Sequence, residues 1–116
     1  MSQAHVLYFD QTPPEQVKDG LERRLIHTAN LMTVVIEFSG GPWATPDPLH
    51  SHVHEQITYM AEGEVLFFAE GDEPRRLKAG DLFAVPSGVP HSIQLLSKTA
   101  RLIDSFTPVR EDFLKP

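Results

Sequence analysis

The stretch LHSHVHEQ, from Leu49 to Gln56, carries three of the chain's six histidines at every second position and ends in an amide. In an extended chain successive side chains alternate between faces, so His50 and His52 share one side. Two imidazoles on one face are a common start to a first-row metal site. The same spacing also suits a hydrated polar loop, and parity alone does not say whether His54 or Gln56 joins the pair. A further histidine lies downstream in GDLFAVPSGVPHS, where His91 opens the next extended segment and could complete the group.

Positioning these side chains falls to short β-type runs separated by Gly, Pro, Asp and Asn. HVLYF (5–9) reads as a first strand, followed by the turn-rich QTPPE. LERRLIHT (21–28) and LMTVVIEFS (31–39) flank Ala29-Asn30, a two-residue hairpin connection in which Asn tolerates a left-handed turn. SGGPWATPDPL (39–49) is a Gly/Pro loop that no helix crosses. EQITYMA (55–61) and EVLFFAE (64–70) meet at Glu62-Gly63, which reads as a second tight hairpin. RRLKA after GDEP (71–74), DLFAVP (81–86), HSIQLLS (91–97) and TARLIDSFT (99–107) complete the set. VREDFLKP then forms one helical turn or an extended tail. Eight to ten short strands without a helical period predict an all-β sandwich or small barrel in one domain, 1–116. A double-sheet jelly roll of this size can enclose a ligand.

Composition narrows the chemistry. The 116 residues, 41% hydrophobic and 22% charged, suit one globular domain. A net charge of -6 argues against a sequence-independent hold on nucleic acid. An anionic small molecule would need a local positive feature, which a metal ion would supply. The absence of cysteine excludes disulfides and thiolate sites. MSQAHVLYFDQTPPE has neither a basic start nor an apolar run, and no segment is long and apolar enough for a spanning helix. The expected compartment is the cytoplasm, with no membrane partner.

The last strand holds the other unusual residue. In TARLIDSFTP, Ala100, Leu102, Asp104 and Phe106 share one face and Arg101, Ile103, Ser105 and Thr107 the other. If the first set points inward, Asp104 is a carboxylate in an apolar row, costly without a partner. Beside a metal it could act as acid or base; otherwise it forms a structural salt bridge or faces outward. Taken alone, Phe106 reads as core and Arg110 as surface charge. His5 and His27 read as surface or strand positions, and Tyr59 with Arg23–Leu25 as sheet packing with a charged outer face. His54 and Glu55 could orient the histidine pair. Trp43 lines a pocket mouth or seals its loop.

These spacings resemble the two motifs of the cupin superfamily. The first pairs His-x-His with an acidic residue three or four positions later and a glycine after six more. This chain has His50-Ser51-His52, Gln56 and Gly63. The second motif is matched by Gly80, Pro86, Gly88 and His91, with Leu95 where an asparagine is frequent and Ala44 where a glycine usually precedes the first. The resemblance implies a jelly-roll β-barrel and a divalent ion held by His50, His52, Gln56 and His91. An amide in place of a carboxylate leaves the ion its full charge, a stronger Lewis acid that attracts anions. Such ligation suits zinc, nickel, iron or manganese.

FTPVREDFL together with HSHVHEQITY is similar to the pectin-degradation (KdgF-type) group of small cupins, over nearly the whole chain. That resemblance implies ring opening of 4,5-unsaturated monouronates from pectin or alginate breakdown to a linear 4-deoxy-5-ketouronate. It implies Asp104, Phe106 and Arg110 as the catalytic set and a small anionic sugar as the partner. Val53 and MAEG depart from the group's usual proline and VLEG, and the longer loop around Trp43 bears on substrate size. The competing functions are a metal-dependent oxygenase or isomerase on another small acid, and a non-catalytic sugar- or effector-binding cupin. The exposed edge of HVLYF, with cupin habit, points to a homodimer.

Overall fold

Period-two burial builds the framework. Along β9 (Ala100–Thr107) the residues Ala100, Leu102, Asp104 and Phe106 are buried, and along β4 (Glu55–Glu62) Gln56, Thr58 and Met60 are. The computed structural model describes residues 3–115. The remaining strands are β1 (Glu15–Lys18), β2 (Leu21–His27), β3 (Met32–Phe38), β5 (Glu64–Ala69), β6 (Arg75–Lys78), β7 (Leu82–Val85) and β8 (His91–Leu95). A six-stranded antiparallel sheet has the order β1-β2-β3-β9-β4-β7, and a three-stranded sheet has the order β6-β5-β8. None of the described helices is long and apolar enough to cross a membrane.

The two sheets face each other across apolar clusters that leave one end of the interior open. Phe38, Met60, Val65, Leu95, Ala100 and Leu102 join the sheets at one end. Phe67 of β5 stacks on Phe83 of β7 with ring centroids 4.1 Å apart, closing one side. Met32, Val34 and Phe106 form a third group under the C-terminal turn at Glu111–Phe113. That turn is the helical alternative for the closing segment. The double-sheet jelly roll expected from the strand pattern is the observed fold.

Three local expectations are corrected. Residues 5–8 of HVLYF form no strand, and Phe9–Gln11 makes a 3-10 turn. Side-chain contacts replace a ladder there: Arg24 and Arg101 lie over the Phe9 ring at 4.0 and 5.1 Å, and Arg24 Nε donates to the Thr12 carbonyl at 2.6 Å. The edge-covering argument for a homodimer loses its strand, because the sheet edge beside β2 is β1. Second, Glu62-Gly63 is not a hairpin. β4 belongs to the large sheet and β5 to the small one, so Gly63 is a corner between them. Third, Ala29-Asn30 does connect β2 and β3, but no described non-glycine residue has positive φ, so Asn30 is not left-handed. Thr28 Oγ1 accepts from Leu31 N at 3.2 Å and shapes that turn instead.

Gly63 has φ +88°, and a Cβ there would lie 2.5 Å from the Thr99 carbonyl oxygen and 2.6 Å from Ala100 Cβ. Backbone on one side and a core methyl on the other cannot both yield. Gly63→Ala is expected to lower stability by more than about 2 kcal/mol, measured by urea denaturation. A loss within about 0.5 kcal/mol, ordinary for surface changes, would contradict the corner.

Candidate metal centre and pocket

Segments distant in sequence are joined by main-chain hydrogen bonds before any side chain meets. The Gly/Pro loop runs along β8, with Trp43 N donating to Leu95 O at 2.9 Å and Asp47 N to Ile93 O at 3.1 Å. It ends in a reciprocal pair, His50 N to His91 O at 3.0 Å and His91 N to His50 O at 2.9 Å. The turn before β8 adds Gly88 N to His52 O at 2.8 Å. The two histidine-bearing motifs are thus bonded to each other directly. Trp43 packs edge-on against Phe38 at 5.6 Å, sealing the loop to the core rather than lining the pocket mouth. Asp47 of the same loop does line the cavity.

This backbone framework gathers three imidazoles. One ligand atom each from His50, His52 and His91 lies within 4.8 Å of the others. Two nitrogens each about 2.1 Å from one ion can stand at most about 4.2 Å apart, so the rings must draw inward for one ion to engage all three. The ring nitrogens facing away are engaged as metal-ligating histidines require. His91 Nδ1 donates to Val89 O at 2.8 Å, and His52 Nδ1 to His54 O at 2.9 Å. That leaves His91 Nε2 buried without any hydrogen-bond partner. Burial holds His50 and His91 below the ordinary imidazole range, opposed by the backbone at Pro48 and Val89. Neutral rings with free lone pairs are the form that binds a metal.

Gln56 reaches the same point from β4. Its Oε1 stands 3.1 Å from His52 Nε2, although His52 already uses Nδ1–H toward His54. In the neutral ring Nε2 is then an acceptor, and two acceptors at this distance call for a proton or a cation between them. The residues present therefore fit a divalent ion on three imidazoles and an amide oxygen. His54 contributes its carbonyl to this arrangement and not its ring, which is turned to the backbone at Val109 and the Arg110 side.

Behind Gln56 a line of buried polar groups runs to the acid. Gln56 Nε2 donates to Thr58 Oγ1 at 2.9 Å, and Thr58 Oγ1 donates to Asp104 Oδ1 at 2.6 Å. Asp104 faces inward as its strand parity predicts, so it is neither an outward charge nor in a salt bridge. Its pKa is raised to about 6 by burial, against the lowering effects of the Thr58 hydrogen bond and the Arg110 charge.

Asp104, Phe106, Arg110, Gln56, His50 and His91 open on one cavity of about 230 Å³. That is below the roughly 300–1,000 Å³ of pockets for drug-sized ligands, and suits a single small molecule. Arg110 is not a free surface charge. Its guanidinium lies 5.1 Å from the Phe106 ring centroid and 4.3 Å from that of Phe113. Asp112 accepts from its Nε at 3.1 Å and Nη2 at 2.9 Å, leaving the Nη1 end for another anion.

Comparison with known proteins agrees with this arrangement. The family described as the cupin domain matches residues 35–106, more than half of the chain. The chain belongs to the cupin family. This cupin is 39% identical to the pectin degradation protein KdgF of Dickeya dadantii over 107 residues, covering 90% of the chain and 94% of that protein. It superposes on an RmlC-like cupin from Shewanella frigidimarina with a TM-score of 0.84 and 37% identity, over 96% of each chain. The structure of KdgF from Halomonas sp. gives a TM-score of 0.82 and 33% identity, over 91% of this chain and 96% of that one.

Six of the seven residues singled out in the sequence line one cavity, and His52 adjoins it through Gln56 and the His91 ring. Thr58, Phe113 and Asp112 were missed. Parity could have offered Thr58, which shares the inward face of β4 with Gln56; nothing local signals the aim of the C-terminal turn. The remaining nominees are peripheral. His5 Nε2 donates to His27 O at 3.0 Å away from the site, and Tyr59 lies exposed on the outer sheet face. Arg23 departs from the charged outer face expected of it: it lies over the Phe113 ring at 4.0 Å and pairs with Glu15.

The raised pKa of Asp104 makes stability depend on pH. An acid with a higher pKa in the fold than in the unfolded chain costs nothing below its ordinary 3.8, costs progressively more as pH rises from there, and costs its full amount above about pH 6. In the metal-free protein Asp104→Asn is expected to stabilise by up to about 3 kcal/mol at pH 8, with the gain fading as pH falls from 6 toward 4. Urea denaturation across that range measures it; a pH-independent gain would show that Asp104 has no raised pKa.

Proposed function

We propose that this cupin linearises 4,5-unsaturated monouronates released from pectin or alginate, giving a 4-deoxy-5-ketouronate. The observation that carries the reading is the meeting of a buried carboxylate, Asp104, and a cationic fork, Arg110, with the imidazole group in one small cavity. Similarity to the two KdgF proteins supports the same chemistry.

The substrate is a cyclic hemiacetal whose ring oxygen is attached to the C4=C5 double bond. Linearisation removes the proton of the anomeric hydroxyl, breaks the bond between C1 and the ring oxygen, and leaves an aldehyde and a C5 enolate. Protonation at C4 completes the ketone, so the net change is an isomerisation. A divalent ion on His50, His52, Gln56 and His91 supplies an electrophile toward substrate oxygens. Arg110 binds the C6 carboxylate through its free Nη1 end, which answers how a chain of net charge -6 holds an acidic sugar. Phe106 gives the ring an apolar face. Asp104, ionised at neutral pH, takes the anomeric proton and returns one at C4. A pKa of about 6 lies close to the operating pH, where one group serves best as both base and acid.

The test follows loss of the substrate's ultraviolet absorbance with metal-loaded protein. Acceleration over spontaneous opening is expected, and its absence would sink the proposal. Asp104→Asn is expected to keep its metal while losing roughly 10²–10⁴-fold in turnover. A rate within a few fold of the parent would remove Asp104 as the proton carrier. Oxygen consumption during turnover would favour an oxygenase on another acid, and tight sugar binding without turnover a sensing role.

A further inference from the structure

Thr58 stands between the two groups on which the proposed chemistry depends, and it is fully buried. Valine would fill the same space without a hydroxyl to satisfy, and a buried hydroxyl is costly unless bonded. This hydroxyl is used twice, accepting from Gln56 Nε2 at 2.9 Å and donating to Asp104 Oδ1 at 2.6 Å.

The direction of those bonds follows from the donor inventory. An ionised carboxylate can only accept, so the single Thr58 proton points at Asp104. The hydroxyl oxygen then has only lone pairs to offer Gln56. Gln56 must present its NH2 group to Thr58, which turns Oε1 toward His52, 3.1 Å away. The opposite amide rotamer would set two acceptors against each other at Thr58 and aim N–H donors at the imidazole lone pairs.

We propose that Thr58 is a positioning residue that fixes the polarity of the Gln56 amide, so that a carbonyl oxygen and not an NH2 group faces the metal position. The inference rests on the reading of His50, His52, Gln56 and His91 as a metal site. The same hydroxyl occupies Asp104 Oδ1 and leaves Oδ2, which has no protein donor among the described residues, to carry the proton.

Cobalt(II) binding to the metal-free chain, read from its visible bands, tests this without reference to activity. Thr58→Val is expected to fold with a lowered melting temperature, because Asp104 Oδ1 and Gln56 Nε2 lose their partner, and to lose roughly ten- to hundredfold in cobalt affinity, the usual cost of removing a residue that orients a ligand. Thr58→Ser keeps the hydroxyl and is expected to bind within a few fold of the parent. In a Gln56→Glu background the two carboxylate oxygens are equivalent, no polarity remains to be fixed, and Thr58→Val is expected to cost little. Parental affinity in Thr58→Val would overturn the proposal, as would an equal loss in both backgrounds. If the parent itself bound no cobalt, the metal reading would fail first, and the positioning role with it. Should Thr58→Val not fold, Thr58→Ala carries the same expectation.

Discussion

Three main-chain hydrogen bonds hold the imidazoles in place: the reciprocal pair between His50 and His91, and the bond from Gly88 N to His52 O. They tie the end of a long Gly/Pro loop to the turn and strand that follow β7. Side chains of histidine are long enough to wander, and a metal site tolerates little of that. Here the backbones that carry them cannot separate without breaking the loop's whole run along β8. The third imidazole also has its outward nitrogen fixed by a carbonyl from its own turn. Ring orientation of His52 and His91 is therefore set by backbone carbonyls.

The opposite wall depends on register. β4 pairs with β9 so that Gln56 stands beside Phe106 and Thr58 beside Asp104. Slipping β4 by one residue would turn Gln56 and Thr58 outward and bring Ile57 in, and slipping β9 would turn Asp104 and Phe106 outward and bring Ser105 in. The result is a buried acid whose only direct donor among the described residues is a hydroxyl, in a chain already rich in negative charge. Arg110 offsets that charge from across the cavity without forming an ion pair with it. An acid in direct contact with arginine would be held ionised; one step removed, it stays near the pH at which protons are exchanged.

Much of this was legible because local spacing and strand parity carry it. Period two placed Ala100, Leu102, Asp104 and Phe106 on one face, and the motif intervals named His50, His52, Gln56 and His91. What failed required knowledge of partners far away in sequence. HVLYF has the composition of a strand, but its last residue, Phe9, lies under guanidinium groups from β2 and β9. Glu62-Gly63 has the composition of a hairpin, yet the chain crosses there to the other sheet, and Thr99 and Ala100, far along the sequence, leave no room for a Cβ at the corner. Thr58 was passed over because a threonine in a strand is ordinary until the residue opposite it is known to be Asp104.

The C-terminal turn has a consequence for how this pocket can change its clientele. Arg110 is held by Asp112 and two phenylalanine rings, one of them in the turn itself, whereas every imidazole is carried by the loop, β8 and the segment before β4. Under the proposed function, recognition of the substrate's charge and construction of the electrophile would draw on separate stretches of chain. The residues from Val109 to Phe113 could therefore vary without touching the three imidazoles, provided that the packing of Val109 and Phe113 on the core is kept. The fold keeps its reagent and its label on different pieces of string.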